Sequence, residues 1–352
     1  MGWVSQAGLP VLTIAGATAG AFLFSALDIP LAYILGALFG SAVVTNLAGP
    51  MTGGRYLRRA GQLLVGAAVG GVLSPDVVAE LGRLLPLMLT VALASNVTGA
   101  FLAFPVARIA GVSRLTGLLS CLPAGMAEMA TLARELGAHD QTVTVIHTLR
   151  VVLIVTIIPL WLGISGGFQP APERAVGVVE GAELLGIVLV GGLIAAAASR
   201  FGVLNPWVIV PMLLCLAAVA AGIDLAQLPM PLQIAAQIAI GTSLGLRFRL
   251  EHFRSLPRAA LAGIFSGLVL IGVSGLLFAS AVQGLGDLGY ETATMAVMPG
   301  GLGEMIAAAS ALGVLPATVA GFQITRSILT NIFAPPLIRF TLARLNKNQS
   351  SE

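Results

Sequence analysis

The chain has 352 residues, of which 57% are hydrophobic and only 9% are charged, whereas about a quarter of the residues of an ordinary soluble domain carry charge. This composition and a mean hydropathy of +0.98 predict an integral membrane protein and exclude a soluble domain. The formal net charge of +3 does not indicate nucleic-acid binding, because most cationic residues lie between hydrophobic runs, where they determine membrane topology.

The first half of the chain contains apolar stretches of about the 20 residues that are needed to cross a bilayer. They are residues 8–26, 29–48, 84–107 and 141–164. Two further segments differ, because 60–73 is short and 114–136 is interrupted by Pro123 and Gly125. The N-terminus lacks Lys and Arg, so we expect the first run to be a retained membrane helix rather than a signal peptide.

The second half repeats this series after a loop at about 166–180. Its segments are 183–199, 203–222, 232–247, 257–282, 290–312 and 316–341. The sequence therefore predicts four parts, which are a membrane repeat over 1–165, the loop over 166–180, a second repeat over 181–345 and a C-terminal tail over 346–352.

A motif of 15 residues occurs once in each half. Residues 123–137 and 299–313 share seven identities at a shift of 176. Both copies place a glutamate just after a break in an apolar segment, and interrupted helices in duplicated halves are typical of secondary transporters. The half-helix after such a break begins with N–H groups that lack an intrahelical partner. The break residues that we expect to shape a binding site are Pro123, Gly125, Pro299, Gly300 and Gly301.

Arginines are distributed differently in the two halves. Arg55, Arg58 and Arg59 follow the second segment, whereas the equivalent loop of the second half has no Lys or Arg. A later group instead follows the third segment of the second half, and it consists of Arg247, Arg249, Arg254 and Arg258. The positive-inside rule then predicts inverted repeats, each with about five spanning helices and one re-entrant or broken helical hairpin. The alternative is twelve full spans in parallel repeats.

The two motif glutamates, Glu128 and Glu304, lie in the first turn of the predicted half-helices. Each carboxylate could accept hydrogen bonds from its own helix start, as in a capping box. Each could also carry a proton or a cation, since an ionisable group inside a membrane is seldom without a use. The two interpretations are compatible.

Arg150 and Arg326 occupy equivalent positions inside later apolar segments. A mid-span arginine that faces lipid costs at least ~2.5–3.5 kcal/mol, so each should face the protein interior and find a partner. One hypothesis is an ion pair with a motif glutamate, and the other is a clamp on an anionic substrate. His147 and Gln323 lie three residues earlier, about one turn away. For His147 the sequence favours a hydrogen-bonded packing role over a proton relay.

Cysteine and histidine do not indicate metal chemistry. Cys121 and Cys215 stand alone in apolar surroundings, which favours simple packing. The three histidines are scattered along the chain and give no metal-ligand spacing. The sequence therefore predicts no metal, no cofactor, no catalytic residue and no enzymatic activity.

The doubled Pro-Ala/Gly-Gly-x-x-Glu-Met motif, followed about twenty residues later by arginine in a hydrophobic helix, resembles the AbrB family of bacterial inner-membrane proteins. The resemblance covers nearly the whole chain. It implies a multi-pass protein of the inner membrane with a role in transport or in regulation of gene expression. This family is distinct from the small DNA-binding regulator of the same name.

Together these observations predict a secondary transporter or permease for a small anionic solute, with its site at the repeat interface. The alternative is a membrane-bound sensor that acts indirectly on gene expression. The predicted partners are the lipid bilayer, a small-molecule or ion substrate and, as a further option, a second copy of the chain. Direct contact with nucleic acid is not expected, because the loops are too short to hold a helix-turn-helix module.

Overall fold

The computed structural model describes residues 8–165, 178–223, 225 and 227–349. These ranges fold into helices and contain no strand, which confirms the predicted all-α class. In chain order the helices are α1 Leu9–Ala26, α2 Ala32–Ala48, α3 Gly54–Gly70, α4 Pro75–Ala110, α5 Arg114–Cys121, α6 Met126–Glu135, α7 Asp140–Ser165, α8 Val178–Arg200, α9 Pro206–Ala220, α10 Met230–Gly245, α11 Leu250–Ser255, α12 Pro257–Val273, α13 Ala279–Gly286, α14 Tyr290–Val297, α15 Leu302–Ala311 and α16 Pro316–Gln349. A π-helical turn, Ser274–Phe278, joins α12 to α13.

Five of the described helical stretches are long and apolar enough to cross a membrane. They are Leu9–Ala26, Pro75–Ala110, Asp140–Gly163, Glu183–Arg200 and Pro257–Gly286. Three shorter helices, α2, α9 and α15, are also apolar. The protein is thus an all-helical membrane protein, while the inverted arrangement of its repeats stays a prediction.

Several predicted boundaries need correction. The group Arg55, Arg58 and Arg59 lies inside α3, which begins at Gly54 rather than at residue 60. Arginine is a good helix former. Gly53, the residue before the helix, has a left-handed φ of 95° and ends the preceding turn. The helix therefore starts before the apolar run does. Of the predicted loop 166–180, residues 166–177 lie outside the described part of the chain, and 178–180 already belong to α8.

The two predicted breaks are present, and proline explains where each first half-helix ends. A residue that precedes proline is driven out of the α region by a steric clash with the proline ring. Accordingly, Leu122 before Pro123 has φ −57° and ψ 138°, and Met298 before Pro299 has φ −63° and ψ 132°. Four residues then separate α5 from α6, and four separate α14 from α15.

The chain divides into two compact units, and each of them draws on both halves of the sequence. Of the described residues, unit 1 contains 8–83, 155–165, 178–223, 225, 227–249 and 302–320. Within it α1 packs on α2, α2 on α10, and α3 on α9 and α10. The first of these contacts depends on glycine, because a Cβ at Gly36 would collide with the backbone of α1 at Gly20. The predicted repeats 1–165 and 181–345 describe the duplicated sequence and are not these units.

Of the described residues, unit 2 contains 84–154, 250–301 and 321–349. In it α5 packs tightly on α4, since a Cβ added at Gly117 would lie 2.6 Å from the carbonyl oxygen of Ala103. The carbonyl end of α5 also approaches Gly99, where a Cβ would lie 2.8 Å from the oxygen of Cys121. Helix α12 approaches α7 at Gly263, beside Leu149.

Candidate functional site

The end of α5 is the first of two equivalent places where a broken helix meets a buried arginine. The last carbonyl groups of any helix lack an intrahelical partner. Arg150 on α7 supplies that partner, because its Nη1 donates to the carbonyl oxygens of Ser120 at 3.3 Å and Cys121 at 3.2 Å. Its Nη2 donates to Leu122 at 3.4 Å. The side chain is 2% exposed, so its charge lies within the protein at the negative end of the α5 dipole.

His147 completes this arrangement on the same face of α7. Its Nε2 lies 2.9 Å from the carbonyl oxygen of Leu119, and its Nδ1 lies 2.9 Å from Nη2 of Arg150. A carbonyl can only accept and a guanidinium can only donate. The imidazole must therefore be neutral, with its proton on Nε2, and this geometry agrees with the packing role favoured from the sequence.

The end of α14 has the second arrangement of this kind. Arg326 on α16 donates from Nη1 to the oxygen of Met298 at 2.8 Å and from Nη2 to Gly300 at 3.1 Å. Its Nη2 also donates to Oε1 of Gln323. The amide nitrogen of Gln323 donates to Met298 at 2.9 Å and to Ala296 at 3.2 Å. Arg326 is 5% exposed.

The two arrangements share equivalent contacts at the shift of 176. Leu122 and Met298 accept from the two arginines, and Leu119 and Met295 accept from His147 and Gln323. Histidine and glutamine thus play the same role, because each presents one acceptor to the arginine and donates from a side-chain nitrogen to carbonyl oxygens of the broken helix. We call each set, Arg150 with His147 and Arg326 with Gln323, a carbonyl clamp.

In each clamp one N–H donor of the arginine remains without an acceptor. The Nε atoms of Arg150 and Arg326 are buried and have no hydrogen-bond partner in the described structure. The expected partners of these arginines were a glutamate or an anionic substrate, and the partners found in unit 2 are backbone carbonyls and a neighbouring side chain. The unused N–H keeps the capacity for a further acceptor.

The two motif glutamates have different surroundings. Glu304 in the first turn of α15 is 2% exposed, and its Oε1 lies 3.4 Å from Nη2 of Arg58 on α3. Its Oε2 is buried without a hydrogen-bond partner in the described structure. Glu128 in the first turn of α6 is half-buried. Its carboxyl carbon would lie 3.0 Å from a Cβ at position 125, so Gly125 gives the carboxyl group room to fold back over the helix start.

The remaining break residues shape the turns between half-helices. Pro123 and Pro299 are buried, whereas Gly300 and Gly301 are partly exposed. None of the three break glycines has a positive φ, so backbone strain does not explain them. Room for a neighbouring group explains Gly125, and the carbonyl of Gly300 serves Arg326.

Sequence reasoning missed Arg58 and Arg247 as site residues, because it assigned both to topology. Arg247 lies two residues after the end of α10. Burial lowers the pKa of its guanidinium to about 10, with the charge of Arg58 acting in the same direction and Glu304 opposing it. The sequence did contain one indication of a polar site here, because the polar residue Gln62 lies one helical turn after Arg58 within an apolar run. A Cβ at Gly303 would lie 2.9 Å from Cγ of Gln62, so this face of α3 meets the start of α15.

Among the described residues, no group of three or more His, Cys, Asp or Glu side chains could hold a metal ion. Cys121 and Cys215 are buried and free. Cys121 contributes its carbonyl oxygen to the first clamp.

Comparison with known proteins identifies the family. The chain is 24% identical over 360 residues to "Uncharacterized protein YhjN" of Bacillus subtilis (strain 168), with 93% of this chain and 91% of that protein covered. It is 23% identical over 329 residues to "Putative regulator AbrB" of Escherichia coli (strain K12), with 90% and 92% covered. No solved structure matches. A family model described as "Transition state regulatory protein AbrB" matches residues 42–342, and the chain therefore belongs to the AbrB family.

Proposed function

We propose that the protein is a secondary transporter of a small anionic solute in the bacterial inner membrane, which it crosses several times. The observation that carries this proposal is the pair of carbonyl clamps, in which two equivalent broken helices each end at a buried arginine. Transporters commonly build their substrate sites from interrupted helices of repeated halves. That the site lies where the two repeats meet stays a prediction from the sequence.

The charge of the arginines is more than the helix ends require. Gln323, which is neutral, donates to three carbonyl oxygens of the second break, so a neutral side chain can satisfy such groups. A buried arginine is retained at a cost of at least ~2.5–3.5 kcal/mol on membrane-insertion scales. An anion that accepts from the unused Nε–H would give this charge a purpose. We therefore assign substrate contact to Arg150 and Arg326, with His147 and Gln323 as positioning residues.

A second candidate is indirect regulation of gene expression, and the names of the family model and of the Escherichia coli relative favour it. The connections between the described helices are short, so regulation would act through a sensed or transported molecule rather than through DNA. A sensor needs to bind its ligand but does not need to move it across the membrane.

Uptake by purified protein in liposomes tests the proposal against this alternative. We expect saturable uptake of at least one radiolabelled small carboxylate, beyond that of protein-free liposomes. Arg150→Lys and Arg326→Lys keep the charge but lose the fork of donors, so they should weaken binding about tenfold or more per lost hydrogen bond to a charged group. The matched control is Arg59→Lys. Wild-type affinity in both clamp variants would contradict the assigned contacts.

A further inference from the structure

A separate cluster of charged side chains lies in unit 1, around the first turn of α15. Oε1 of Glu304 lies 3.4 Å from Nη2 of Arg58. Arg247 interacts electrostatically with both of these groups. Helices α3 and α10 pack against α15. Arg58 on α3 and Arg247 just after α10 therefore approach the carboxylate of Glu304.

The other titratable groups on these helices are engaged elsewhere. On α3, the guanidinium carbon of Arg55 lies 4.9 Å from the ring centroid of Tyr56, and that of Arg59 lies 5.1 Å from the ring centroid of Trp207. Helix α10 carries no charged residue, and α15 carries none besides Glu304. The cluster thus combines two cations with one anion.

Two polar atoms of the cluster are buried without a hydrogen-bond partner in the described structure, and they are Oε2 of Glu304 and Nε of Arg58. Such atoms destabilise a protein unless something satisfies them. A carboxylate ligand can satisfy both at once, since one of its oxygens accepts from the Nε–H. Its other oxygen accepts from Oε2 of Glu304 once that oxygen carries a proton.

We propose that Arg58, Arg247 and Glu304 form a second binding site for the small carboxylate anion, in addition to the contacts assigned to Arg150 and Arg326. They bind this anion together with one proton, which is carried on Oε2 of Glu304. This inference rests on the proposed anion transport and names its coupling ion. The one covalent change is an O–H bond that forms on Glu304 from a solvent proton and breaks when the proton leaves. Protonation removes the negative charge from beside Arg58, and the arriving anion replaces it, so the net charge of the cluster is unchanged.

The sign of the pH dependence follows from this balance. Anion binding should strengthen as pH falls, because protonated Glu304 donates to the ligand instead of competing with it for the arginines. Arg247 stays cationic throughout, as its lowered pKa of about 10 lies well above the range to be tested. A carboxylate probe of ordinary acidity also stays ionised at both about pH 5.5 and about pH 8.

Calorimetric titration of the purified full-length protein with acetate and lactate tests the inference. For the probe that binds, we expect affinity to be about tenfold higher at about pH 5.5 than at about pH 8, as for one hydrogen bond to a charged group. Glu304→Gln should bind with the tighter affinity at both pH values, because its amide resembles the protonated acid. Arg58→Gln and Arg247→Gln should bind about tenfold more weakly or worse.

Matched controls are Arg59→Gln, beside Arg58 but stacked on Trp207, and Glu80→Gln, an exposed carboxylate paired with Arg83. Both should behave like the wild type. Size-exclusion profiles and thermal unfolding establish whether each variant folds. If Arg58→Gln does not fold, Arg58→Lys, which keeps the positive charge, takes its place. A lysine lacks the Nε–H of arginine, so the same loss is expected.

The outcomes separate this inference from the proposed function. If the wild type takes up a carboxylate in liposomes while binding is insensitive to pH and to the three variants, the cluster is not the coupling site although transport stands. If no probe binds at either pH and none is taken up, both proposals are contradicted. If Glu304→Gln abolishes binding in folded protein, the carboxylate acts in its charged form and the proton assignment is wrong.

Discussion

His147 and Gln323 offer the same pair of hydrogen-bonding groups from chemically different side chains. We expect His147→Gln to fold and transport like the wild type, because glutamine already does this work beside Arg326. His147→Leu leaves a carbonyl of α5 and an N–H of Arg150 unpaired, so it should lower the free energy of unfolding by about 1–3 kcal/mol per buried group. Thermal unfolding in detergent measures both changes.

The control for this pair is His252→Leu, at an exposed position of α11, where no change in stability is expected. Equal destabilisation by His147→Gln and His147→Leu would show that the clamp does not depend on the two hydrogen bonds. A stability of the wild type that rises as pH falls through about 6.5, and that His147→Gln removes, would contradict the neutral imidazole, because only a charged native imidazole stabilises the protein in that direction.

At the same scale, the sequence was informative about which residues matter and silent about some of their partners. Burial of Arg150 and Arg326 follows from their place in apolar segments. Apart from His147 and Gln323, their partners are backbone carbonyls, which every residue has, so no side-chain pattern could indicate those contacts. The pairing of Arg58 with Glu304 depends on how α3 packs against α15, and two residues so far apart in sequence carry no local signal of that contact.

At the scale of elements, glycine permits the close contact between α1 and α2 in unit 1. A Cβ at Gly36 of α2 would collide with backbone atoms of α1, which cannot rotate away as a side chain can. Gly36→Ala should therefore lower the free energy of unfolding by about 1–3 kcal/mol, as overpacking does. The measurement is chemical or thermal unfolding of the purified variant.

Gly186 in α8 is the matched control, because a Cβ there would meet nothing within 4 Å. Gly186→Ala should be neutral or stabilise by about 0.5–1 kcal/mol, since alanine favours a helix interior. If both alanine variants unfolded alike, close approach would not be what holds α1 against α2.

The boundaries of the helices show why the sequence predicted the helix breaks correctly but placed the start of a helix too late. Proline acts on its immediate neighbour, so the ends of α5 and α14 could be located from Pro123 and Pro299. The start of α3 depends on arginines that the hydropathy pattern excludes from an apolar segment, although two of their guanidinium groups lie over the rings of Tyr56 and Trp207. Composition alone therefore placed the first residue of α3 too late.

At the scale of the whole molecule, the distribution of arginines predicts that the halves are inverted. Single cysteines at Thr52, between α2 and α3, and at Arg254 in α11 should both react with a membrane-impermeant reagent from the cytoplasmic side. Both positions are exposed, and the background protein carries alanine at Cys121 and Cys215. Labelling of the two positions from opposite sides would contradict the inverted repeat and favour parallel repeats.

The central claim is that this member of the AbrB family carries an anion across the membrane, and counterflow tests it most directly. Liposomes that contain the protein and are loaded with an unlabelled carboxylate are diluted into a trace of the labelled one. We predict a transient accumulation of label above equilibrium, which is reduced or absent with Arg326→Lys and unchanged with Arg59→Lys. Binding of the same carboxylate to the purified wild type without any such accumulation would contradict the account and indicate a sensor.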